Sequence, residues 1–187
     1  MPDVESSLQS LEEAVEEMES YLLSKETFRA RTGRESLSLG MIALARKQLA
    51  ARQEELAPTE SDRFENVQAN LDTIHEKWRV AWERKATGEL RSRLNLWREY
   101  LADLEGRPSM GNSYPQEVRN RAMAVELLDA AGNQPEVKGL EASLDAIDGR
   151  LREILRPGEF VWDEELRPVY PREQYWFLYG KPSSRSD

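Results

Sequence analysis

The chain has 187 residues, with 35 acids, 26 bases, one His and no Cys, and a net charge of −9. Absent Cys excludes disulfides, Cys–Zn sites and thiol catalysis, and a single His excludes any site needing two imidazoles from one chain. Leu, Ala, Glu, Lys and Arg make up about half of the residues, a composition of long helices or coiled coils.

Val4, Leu8, Leu11, Val15, Met18 and Leu22 are spaced 4-3-4-3-4, the seam of a first, heptad-like helix. A turn through Ser24–Arg31 follows. Thr32-Gly33-Arg34-Glu35 fits a capping box, so a second helix is predicted with Leu37, Met41, Leu44, Ala45, Leu49 and Leu56 inward. Pro58 disfavours helix in the residue before it and ends that helix at Ala57.

Phe64, Val67, Leu71, Ile74, Trp78 and Ala81 then run 3-4-3-4-3 on one face, while Leu90, Leu94, Trp97, Leu101 and Leu104 run 4-3-4-3 out of phase with them. The bridge Trp82, Ala86, Leu90 behaves as a four-residue stutter. Gly88 sits in its middle, where Gly costs about 1 kcal/mol relative to Ala. The expectation is one helix over 59–105, about 70 Å long, kinked or unwound near Gly88.

Gly106–Asn112 is the clearest loop in the chain. Ser113-Tyr114-Pro115-Gln116 restarts helix, with Val118, Ala122, Val125 and Leu128 inward and Gly132 as its stop. Asn133-Gln134-Pro135-Glu136 caps the next, where Val137, Leu140, Leu144, Ile147, Leu151 and Ile154 run 3-4-3-4-3 before Pro157-Gly158. Short connections and one apolar stripe per helix predict antiparallel neighbours. The expected fold is therefore all-α: an elongated antiparallel bundle of about five helices over 1–156, divisible into sub-bundles 1–86 and 89–156.

Residues 157–187 differ in kind, holding 7 of the 15 aromatics among four prolines that forbid a continuous helix. Phe160/Trp162 and Tyr175/Phe177/Tyr179 recur at spacing two, the period of an extended segment. An irregular or short-β aromatic tail is expected, either strapped over its own bundle or docked on another chain. Trp162, Tyr170, Tyr175, Trp176, Phe177 and Tyr179 are the candidate association residues, because aromatics supply much of the binding energy at interfaces.

Two charge features offer other functions. Residues 1–27 contain eight acids and one base. The pairs Glu12/Glu16 and Glu13/Glu17, at i,i+4, could converge on Mg²⁺ or Mn²⁺. With Glu126-x-x-Asp129 as partner, the pattern resembles the E-x-x-E and E-x-x-D carboxylate arrays of helical nucleotide pyrophosphohydrolases. That resemblance implies a metal-dependent hydrolase, although about 110 residues separate the two elements. The simpler reading is a solvated acidic face complementing a basic one. Residues 28–57 carry Arg29, Arg31, Arg34, Arg46, Lys47 and Arg52 against three acids, a patch that could meet nucleic-acid phosphates or pair with the acidic helix. Asp72-x-x-His75 supplies a di-iron-type carboxylate–His step only once, and Trp78, Trp82, Trp97 and Tyr100 are expected in the core.

An apolar run of the length of Tyr175–Tyr179 is too short to cross a bilayer. The acidic start, Asp3 and Glu5, lacks the basic and apolar regions of a signal peptide. The expectation is a cytoplasmic, non-enzymatic, homo-oligomeric interaction or scaffold protein with protein partners, no membrane role and no cofactor. Metal-dependent hydrolysis and nucleic-acid association are the alternatives.

Overall fold

A computed structural model describes residues 4–183, apart from the side chains of Arg34, Glu105 and Pro108. The chain is mostly helical, with six α-helices and two short antiparallel strand pairs among the described residues. They are α1 (Val4–Leu23), β1 (Arg29–Arg31), β2 (Arg34–Leu37), α2 (Leu39–Ala51), α3 (Pro58–Lys77), α4 (Arg79–Gly106), α5 (Tyr114–Ala130), α6 (Pro135–Ile154), β3 (Leu155–Phe160) and β4 (Tyr179–Pro182). No helix among the described residues is long and apolar enough to cross a membrane.

The heptad seam of α1 is buried at Leu8, Leu11, Met18 and Leu22 and packs on α2 and α3. Between α1 and α2, however, the chain forms a hairpin. Thr32 and Gly33 make its turn, with Gly33 at φ 70, a conformation that favours glycine. Thr32 is therefore no helix cap. Ser38 takes that role, accepting a hydrogen bond from the Met41 N–H at 3.3 Å.

A second departure concerns the long helix, which breaks at Trp78 and not at Gly88. Trp78 adopts φ −116, ψ 27 between α3 and α4, while its N–H still reaches the Ile74 carbonyl at 2.9 Å. The irregular residue falls where the apolar phase changes: Phe64, Val67 and Leu71 are buried before it, and Trp82, Ala86, Leu90, Leu94 and Trp97 after it. Gly88 lies inside α4, and a Cβ there would meet nothing within 4 Å.

α4 packs on α5 and α6, and α2 sits centrally against α1, α4, α5 and a 3₁₀ turn at Glu164–Val169. The start of α2 is fixed by a carboxylate from α4. Glu89 is fully buried, and its oxygens accept the Gly40 N–H at 3.2 Å and the Arg93 Nε and Nη2 at 3.1 and 3.0 Å. Negative charge at a helix N-terminus is stabilising, and Arg93 balances it while also donating to Ser38 and Asn120. A Cβ on Gly40 would lie 2.8 Å from Glu89 Oε1 and 3.0 Å from Met123 Cβ, so only glycine admits this approach.

The C-terminal segment completes the same core. β3 and β4 pair with Arg156 opposite Lys181 and Phe160 opposite Tyr179, and a Cβ on Gly180 would run into the Arg156 carbonyl. Phe160, Tyr170, Tyr175, Phe177 and Tyr179 are buried in one continuous cluster with residues of all six helices. Burying rings of this size removes large apolar area from water.

Candidate functional site

The six aromatic residues singled out in the sequence fall into two groups. Tyr170, Tyr175, Phe177 and Tyr179 are turned inward and Trp162 and Trp176 are half-buried. The Tyr114 hydroxyl donates to the Phe177 carbonyl at 2.6 Å, the Tyr179 hydroxyl to the Tyr170 carbonyl at 2.6 Å, and the Trp162 indole to the Pro115 carbonyl at 2.8 Å. The Tyr175 hydroxyl donates to Glu126, which also accepts from Lys47 at 2.7 Å. Trp176 lies under the Arg152 guanidinium at 4.3 Å, and Phe177 under that of Arg121, which is itself buried against Asp148 at 2.8 Å. The inward rings contact their own chain; of the six, Trp162 and Trp176 keep appreciable exposed surface.

The carboxylates of the metal reading are dispersed. Glu12 accepts from Arg63 at 2.8 Å, Glu13 from Arg31 at 2.9 Å, and Glu17 lies 3.2 Å from Arg31. The Arg63 hydrogen bonds hold the Glu12 carboxyl below its ordinary range despite some burial. Glu16 and Asp129 are exposed, and Glu126 is bound to Lys47 and Tyr175 on the other side of the sequence pattern. Among the described residues no group of three or more such side chains could hold a metal ion. Glu12, Glu13 and Glu17 turn to arginines on the hairpin and α3 and not to one another.

The basic segment answers the same charges. Arg29 pairs with Glu26 and Glu17, Arg31 with Glu13 and Glu17, Arg46 with Asp72, Lys47 with Glu126 and Arg52 with Glu165. The Arg34 side chain lies outside the described set. A phosphate backbone would have to compete with a carboxylate at each of these five. His75 meets the Trp82 ring edge-on at 5.1 Å, while Asp72 is turned to Arg46.

What the structure does bring together is an open groove of about 900 Å³ between α1, the hairpin, α2, α5 and residues 161–166. Its floor is the α2 stripe read as inward, Met41, Leu44, Ala45 and Leu49 with Gln48, continued by the C-cap Arg52, and these follow the i, i+3, i+4 pattern of a single helix face. Ser6, Ser7 and Ser10 form one wall, Pro115, Gln116 and Arg119 the opposite one, and Val161, Trp162, Asp163 and Leu166 an end. Two ion pairs rim it. Arg119 grips Glu35 at 2.8 and 3.2 Å, and Arg52 meets Glu165 at 2.9 Å; both carboxylates are largely exposed, at 62% and 60%. Beside Gln48 stands the buried Tyr170: burial raises its hydroxyl's pKa, against a smaller lowering by a hydrogen bond with Gln48. Apolar floor and polar rim suit the binding of a surface.

These groove residues escape a sequence reading because five separated segments build it. One signal was available. α2 carries Leu39 and Ile42 as well as the stripe read as inward, Met41, Leu44, Ala45 and Leu49; Leu39, Ile42, Leu44 and Leu49 are buried, and the half-buried Met41 and Ala45 are left at the floor. Comparison with protein-family models, with curated proteins and with solved structures finds no match.

Proposed function

We propose that this chain is a non-enzymatic, cytoplasmic helical interaction module, an elongated antiparallel bundle over 1–156 closed by the segment 157–187. Association uses the groove, and Trp162 is the member of the aromatic set that contributes to it directly. The observation that carries this reading is the groove's anatomy, an apolar floor on α2 within a rim of solvent-exposed ion pairs. That is the arrangement of a protein-binding patch, with an apolar centre and polar periphery. Tyr170, Tyr175, Phe177 and Tyr179 serve it indirectly, by fixing the end of the groove against α2 and α5.

A photo-crosslinking amino acid placed at Gln48 tests the reading in cells that produce the protein. A discrete covalent adduct with a protein is expected, and it disappears when Ala45→Arg fills the floor. Irradiation that yields only uncrosslinked chain contradicts it.

A further inference from the structure

We infer that the occupant of the groove is a second copy of this chain, held in a two-fold contact; this rests on the reading of the groove as a docking surface. The first argument is charge. The chain carries −9, so two copies repel each other across most relative orientations. The groove is different, since Arg52 and Arg119 stand against Glu35, Asp163 and the rim carboxylate Glu165, which leaves a single net negative charge there. A basic partner selected by the overall field would gain little from so nearly neutral a patch. A second acidic copy meets its least repulsion here.

The second argument is self-complementarity. A two-fold contact sets the same patch against itself, so the patch must hold both members of each complementary pair. The rim holds two guanidiniums and two carboxylates; Arg119, about a third exposed, meets the largely exposed Glu35 in a weak surface pair, whereas Arg52 is mostly covered. Arg119 can exchange Glu35 for the neighbour's carboxylate at little cost. The residue types agree as well: Met, Trp and Arg are enriched and Lys depleted where proteins meet, and the lining has Met41, Trp162 and two Arg but no Lys. The exposed hairpin tip, Thr32-Gly33, gives each copy a ridge beside its groove.

Sedimentation velocity of the full chain over a concentration series decides the matter. The wild type is expected to shift from one-chain to two-chain mass as concentration rises. Glu35→Arg takes the rim from neutral to two positive charges and Arg119→Glu takes it to two negative ones. Each variant alone is expected to raise the dissociation constant at least about tenfold, or ~1.4 kcal/mol. An equimolar mixture of the two restores the dimer, because opposite rims then face each other. Circular dichroism establishes that both variants remain folded. A wild type of one-chain mass at every concentration overturns the inference, as does a dimer that neither reversal weakens. If the wild type stays monomeric while the Gln48 probe captures a different protein, only the identity of the occupant is wrong. If there is neither dimer nor adduct, the groove reading falls too.

Discussion

The acidic face of α1 and the aromatic C-terminal segment both look, in sequence, like surfaces waiting for a partner, and in the structure both contact their own chain. They do so by different physics. α1 offers Glu13 and Glu17 to a mostly covered Arg31, and Glu5, Glu12 and Glu19 to Arg63 and Lys77 across largely solvated gaps. Such pairs each contribute roughly 0–1 kcal/mol and weaken with salt. The C-terminal segment instead inserts rings that lose nearly all contact with water. Charge segregation therefore guides which helices meet, whereas the segment decides whether the core is closed.

The sharpest way to break this comparison is to remove residues 158–187. Loss of the cooperative thermal transition is expected, since Tyr114 and Trp97 belong to the cluster that would be opened. Single truncations should follow in proportion. Tyr175→Ala is expected to cost about 3–5 kcal/mol in urea unfolding. Removing Glu89 with Glu89→Ala leaves Arg93 buried without its main partner and should cost a similar ~3–5 kcal/mol. Gly40→Ala forces a Cβ against Glu89 and Met123, and about 1–3 kcal/mol is expected.

The two ends of the pH range separate the two regions. Burial raises the phenols of Tyr114, Tyr170 and Tyr175, and for Tyr175 the neighbouring Glu126 adds to the shift. A raised phenol stabilises the fold below its unfolded value near 10, and that contribution is lost as pH climbs towards the folded value. Phenolate absorbance should therefore appear together with unfolding, above the pH at which free tyrosine titrates. Glu12 has the opposite sign. Its lowered carboxyl stabilises above the ordinary carboxylate range, and the effect fades as pH falls through the folded value. The smallest effect is expected at Arg63→Ala, which should move the melting midpoint by no more than about 2 °C and make it less sensitive to salt.

How far the sequence can be read depends on how local each determinant is. The seams of α1 and α6 and the stop at Gly132, which adopts φ 65, follow from spacing and turn chemistry within a few residues, whereas Gly106–Asn112, read as a loop, is the end of α4 and a 3₁₀ turn over Pro108–Ser113. The hairpin at 29–37 was hidden because its strands are three and four residues long and mostly charged. The break at Trp78 was misplaced because glycine is the stronger local signal, yet the phase change begins at the end of the Phe64–Ala81 stripe. Glu89 and Gly40 lie 49 positions apart, so neither reveals the other. The aromatic recurrence predicted a short-β or strap-like segment, but spacing alone carried no information on which chain the rings would cover.

Hydrogen exchange tests the central claim, that the C-terminal segment closes its own core, most directly. The reporters are the amides of Tyr175 and Leu178, which bond to Pro171 and Tyr175 carbonyls at 2.9 Å. They are measured at a concentration where the chain has one-chain mass. Protection equal to that of α4 core amides such as Leu94 is the predicted result. Exchange at the open-chain rate, with α4 still protected, would show that these rings await another molecule.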